Sequence, residues 1–87
     1  MELKLFKDEQ APFPLSPNTI LTKVVKIEQR EIRDEGFVLT ISEGIRGGSL
    51  KQSQRLVKET EADAQHEVNK IVDEFSKLGF SSILKER

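Results

Sequence analysis

Gly44-Ile45-Arg46-Gly47-Gly48-Ser49 is a glycine-punctuated break, and it is followed by Leu50-Lys51-Gln52-Ser53-Gln54-Arg55-Leu56-Val57-Lys58 and then by one long amphipathic segment ending Lys77-Leu78-Gly79-Phe80. This succession decides the fold. Glycines stop a strand, a basic stretch with period-two alternation resumes it, and a 3.6-residue apolar period then takes over, the order of an antiparallel sheet followed by a covering helix.

The helix is the plainest element. Thr60 is placed to cap its N-terminus, with Asp63 three residues on, and Glu61 and Asp63 put negative charge in the first turn, where the backbone N–H groups are unpartnered. Ala64, Val68, Ile71, Val72, Phe75 and Leu78 form one stripe. Gly79 supplies the left-handed residue that ends a helix, which lets Phe80 fold back onto Phe75. Residues 81–84 add a short last strand or pack on the fold, and Lys85-Glu86-Arg87 is expected to fray.

Working backwards from the glycine break, Phe37, Leu39 and Ile41 share one face of a strand, with Val38, Thr40 and Ser42 on the other. Arg33-Asp34-Glu35-Gly36 reads as a turn, because Gly36 tolerates positive φ and Asp34 can bond its own backbone. Residues 20–32 are rich in β-branched side chains, and Leu21, Val25 and Ile27 oppose Lys26, Glu28 and Arg30, so a strand with one buried face is expected there. In residues 50–57, Leu50, Gln52, Gln54 and Leu56 oppose Lys51, Ser53, Arg55 and Val57. Glutamines on the inner side make this an edge strand. Residues 11–18 hold all three prolines, which favour extended backbone and disfavour both helix and ladder.

These readings give an α+β fold: a small antiparallel β-sheet of three to four strands packed against one long C-terminal α-helix. Residues 1–18 are a proline-rich N-terminal strap or tether, and residues 19–87 form a single domain. At 87 residues the chain builds one core but hardly encloses a substrate. With 33% charged residues and a net charge of −1, attraction to a polyanion must come from local segregation of charge. Such segregation exists in residues 46–58, whose only charged side chains are Arg46, Lys51, Arg55 and Lys58.

Chemistry is sparsely provided for. The chain lacks cysteine, which removes disulfides and thiolates and fits a reducing compartment, so the cytoplasm is the expected location. The charged start, Met1-Glu2-Leu3-Lys4-Leu5-Phe6-Lys7-Asp8-Glu9, has no apolar signal-peptide core, and no run is long enough to span a bilayer. His66 is the single histidine, too few for a zinc site, and the serines have only that one candidate base. The glycines match neither phosphate-binding fingerprint and are expected to serve as a bend or bulge. Catalysis, metal and cofactor are therefore not expected.

The same stretch resembles a WGR domain, the module named for a Trp-Gly-Arg motif. Gly44-Ile45-Arg46-Gly47-Gly48 is similar to the motif region, Gln52-Ser53-Gln54-Arg55 to the basic strand, and Ala64-Gln65-His66, Lys70-Ile71-Val72 and Lys77-Leu78-Gly79-Phe80 to the helix and its aromatic stop. Glu43 occupies the tryptophan's place and Ile45 separates Gly44 from Arg46. The resemblance, over residues 19–80, implies a curved antiparallel sheet over one helix. It further implies contact with DNA ends and neighbouring domains, with Arg46 as the matched phosphate ligand.

Function is thus expected to be that of a small non-catalytic binding module contacting nucleic-acid phosphates through Arg46, Lys51, Arg55 and Lys58, with Lys51 and Arg55 on one solvent face. The alternative is a protein-interaction or assembly module, its partner another protein or a second copy, using an exposed edge strand or the acidic helix face. Neither reading involves a membrane or a small-molecule cofactor.

Overall fold

The computed structural model describes residues 2–10 and 20–82. The prolines at 12, 14 and 17 and the tail at 83–87 lie outside the described residues. Four strands, β1 (Glu2–Gln10), β2 (Ile20–Ile32), β3 (Gly36–Ile45) and β4 (Lys51–Lys58), precede one helix, α1 (Glu61–Lys77). They form an antiparallel meander in the order β1-β2-β3-β4, an open sheet with α1 packed on one face. This is the expected α+β architecture.

Register shows which side chains meet the helix. In β2 and β3 the pairs Val25 with Glu43, Ile27 with Ile41 and Gln29 with Leu39 face one way, while Val24 with Gly44 and Arg30 with Val38 face the other. The core follows this parity: Leu5, Val25, Ile27, Leu39 and Ile41 from the sheet meet Ala64, Val68 and Ile71 from α1. Leu3, Phe37, Leu56, Val72, Phe75 and Phe80 fill its margin.

Residues 2–10, taken from sequence as part of a strap, are a full strand of the sheet, and Leu5 on it is 1% exposed. Only Leu3 and Leu5 turn toward α1 before Lys7 and Glu9 take over that side, so the alternation is too short to stand out from the surrounding charges.

Both ends of α1 form as their residues dictate. The Thr60 hydroxyl accepts the Asp63 N–H at 3.1 Å, a cap that stabilises by about 1 kcal/mol. At the other end Gly79 takes φ +98°, Phe80 N–H donates to Phe75 O, and Gly79 N–H donates to Ser76 O, each at 3.0 Å. Phe80 then meets Phe75 edge to face with centroids 5.3 Å apart. Leu78, expected on the buried stripe, is 60% exposed because it is the capping residue where the helical period has ended.

Beyond the cap, the chain returns to the outer edge of β1. Phe6 N–H donates to Ser81 O at 2.7 Å and Ser81 N–H to Phe6 O at 2.9 Å, a single antiparallel bridge. Lys7 lies over the Phe80 ring, 5.9 Å from its centroid.

Candidate interaction surface

The four basic residues do not make one ribbon. Between Ile41 and Ser42 the β3–β4 register shifts: Ile41 pairs with Gln54 and Ser42 with Gln52, leaving Ser53 as an extra residue. Its hydroxyl donates to Ile41 O at 3.2 Å. The bulge reverses the parity of β4. Lys51, opposite Glu43, turns to the face that carries α1, whereas Arg55, opposite Thr40, turns away from it. The expectation that Lys51 and Arg55 share a face is therefore corrected, and Gln52 moves off the inner side for the same reason.

Two of the four cations already have acidic partners. Arg55 donates to Glu35 at 2.9 Å, and Lys58, on the helix face, approaches Glu67 at 3.7 Å. Lys51 and Lys58 share that face but stand at opposite ends of an eight-residue strand, about 23 Å apart at the usual rise. Arg46 sits elsewhere, in a β-turn that Gly48 N–H closes onto Ile45 O at 2.9 Å. Its own N–H extends the ladder to Thr22 O at 2.8 Å. His66 is exposed on α1, and no group of three or more possible metal-ligating side chains comes together among the described residues.

The face turned away from α1 is a lattice of mixed charge. Lys26 bonds Glu28 at 2.6 Å and approaches Glu2 at 3.9 Å, while Arg30 reaches Glu28 at 3.3 Å. Thr22 donates to Asp8 at 2.6 Å. Near the Gln10 end, on the helix side, Glu9 bridges Lys23 at 2.9 Å and Lys7 at 3.2 Å. The hydrogen bond from Lys23, then that from Lys7, holds Glu9 below the ordinary carboxylate value, and Lys26 does the same for Glu28. Reciprocally, Glu28 raises Lys26.

These shifts fix a sign. A carboxylate whose pKa is lower folded than unfolded contributes stability above the unfolded value and loses it as pH falls through the folded one. The thermal midpoint should therefore be level from about pH 7 to 5 and fall below roughly 4.5. Lys26 adds the mirror effect, its contribution being lost as pH rises beyond its ordinary 10.5. Melting curves from pH 2 to 7 check the acid limb, and Glu28→Gln should make it shallower.

The edges of the sheet differ. β1 is bridged on its outer side by Ser81, whereas β4 pairs with β3 alone, leaving its other edge without a strand among the described residues. β4 carries Lys51, Arg55 and Lys58 and no acid. The sequence named these cations but not the change of face between them, because a bulge among polar residues disturbs no apolar alternation. Lys4, which lines one groove with Arg46, gave no signal.

No helix among the described residues is long and apolar enough to cross a membrane. Compared with family models, curated proteins and solved structures, the chain matches none of them.

Proposed function

We propose that the chain is a non-catalytic protein-interaction module of the cytoplasm that accepts an extended acidic segment of a partner protein along the outer edge of β4. The carrying observation is that edge: eight residues, three cations, no acid, and no neighbouring strand among the described residues. An extended peptide gains main-chain hydrogen bonds on such an edge, and side-chain complementarity selects it. A second β4 would set like charges opposite one another and is disfavoured. The intramolecular partners Glu35 and Glu67 do not prevent this, since exposed ion pairs hold weakly and exchange readily.

A contribution to nucleic-acid binding through Arg46, Lys51, Arg55 and Lys58 is less well supported, because these cations divide between two faces and a distant turn. The WGR-like order of glycine turn, basic strand and helix is what favours that reading, but Glu43 brings negative charge to the motif.

Titration with an alternating Glu/Val peptide, observed by amide shifts and hydrogen exchange, should protect residues 51–58. Lys51→Glu with Arg55→Glu should weaken it about tenfold or more, with strong salt dependence. A Lys/Val peptide should not bind. Equal binding of both peptides, protection at β1 instead, or preference for a short duplex over the acidic peptide would overturn the reading.

A further inference from the structure

A second place on the molecule, independent of the β4 edge, has the composition of a small-ligand site. It lies on the face turned away from α1, where the residues after β3 fold back over the sheet. Gly44 makes this possible: a Cβ there would stand 2.6 Å from Ser49 O and 2.7 Å from Leu50 Cδ2. Leu50 therefore lies directly on the β3 backbone, a close approach that only glycine allows. Gly47, at φ +88° with open space where its Cβ would be, supplies the turn that brings Leu50 round.

The fold-back leaves a groove of about 350 Å³ between this loop and the first two strands. Phe6, Val24 and Leu50 give it apolar walls, and Lys4 and Arg46 line it as its two charged residues. Val24 is 5% exposed although it points away from the helix, so its shelter comes from this side of the sheet. Among the described residues the Arg46 guanidinium has no hydrogen bond or ion pair, and Lys4 has only a 3.9 Å approach to Glu2. No acidic side chain lines the groove among the described residues. An apolar trough lined by two cations and no acid is complementary to an apolar body bearing one anionic end, and the planar fork of arginine favours a carboxylate.

We infer that the groove between the 44–50 loop and β1–β2 binds an apolar carboxylate, its chain or ring on Phe6, Val24 and Leu50 and its carboxylate between Arg46 and Lys4. Two sources present this chemistry, a free alkyl or aryl carboxylate and the C-terminus of a peptide ending in an apolar residue.

The full chain labelled with ¹⁵N is titrated with 4-phenylbutyrate, its neutral amide, and a tetrapeptide ending in valine with a free or an amidated C-terminus. Saturable shifts at residues 4–6, 24 and 44–50 are expected with a carboxylate and not with the matching amide. Arg46→Gln or Lys4→Gln, each exposed and replaceable without loss of the fold, should weaken binding about fivefold, the worth of one exposed ion pair. Tighter binding of the free-ended peptide than of phenylbutyrate would identify a protein terminus as the source, and the reverse a small molecule. Equal binding of acid and amide, shifts that survive both substitutions, or no shifts at millimolar carboxylate would each overturn the inference.

Discussion

Leu39→Ala is expected to lower the free energy of unfolding by about 3 kcal/mol, within the roughly 2 to 5 kcal/mol that a buried leucine usually costs. Leu39 is fully buried on β3, an inner strand, with Gln29 beside it on β2 and Leu56 on β4, and it belongs to the cluster that α1 closes. Few neighbours could move into the space, because the backbone on both sides is fixed by ladder hydrogen bonds. A domain of this size has only about 4 to 13 kcal/mol in total, so the loss should appear as a large drop in the urea midpoint. Leu78→Ala is the control. At 60% exposure it should shift the midpoint little, within about 0.5 kcal/mol. Equal effects of the two would contradict the position of the core.

The second large effect belongs to a glycine. Gly36 opens β3 at φ +108°, and a Cβ there would stand 2.6 Å from the carbonyl oxygen of Lys58 on β4. Alanine thus meets two penalties, a backbone conformation that L residues avoid and a collision with a backbone atom. Gly36→Ala should cost about 2 to 4 kcal/mol, more than either strain alone. Gly47→Ala separates the two penalties: it has φ +88° but nothing within 4 Å of the added carbon, so about 1 kcal/mol is expected. Denaturant titration of both variants measures the difference. If Gly47→Ala proved the costlier, the close contact between the start of β3 and the end of β4 would be wrong.

Legibility in the sequence followed the strength of the apolar signal. The helix, its Thr60 cap and its Gly79–Phe80 stop were readable because each depends on residues close together in the chain. So were β2 and β3, where Val25, Ile27, Leu39 and Ile41 set the inner face. β1 was not, since only Leu3 and Leu5 mark its buried side and its pairing with residues 20–28 depends on contacts distant in sequence. The bulge at Ser53 was equally hidden. Its consequence for the candidate site was large, because one unpaired residue sends Lys51 and Arg55 to opposite faces. The identities of the basic residues were plain from the start, but their grouping depended on a register that no local pattern specifies.

The bridge between Phe6 and Ser81 also orders events in time. Strand β1 is synthesised before the strands it joins, but the residue that bridges its outer edge follows α1. During synthesis β2, β3 and β4 can pair with near neighbours as they emerge, while β1 keeps an open edge until α1 has formed and its cap has turned Ser81 back. The last step in assembling the described sheet is thus the arrival of Ser81 at β1, and a nascent chain halted before Ser81 would leave the outer side of β1 unbridged as well as that of β4.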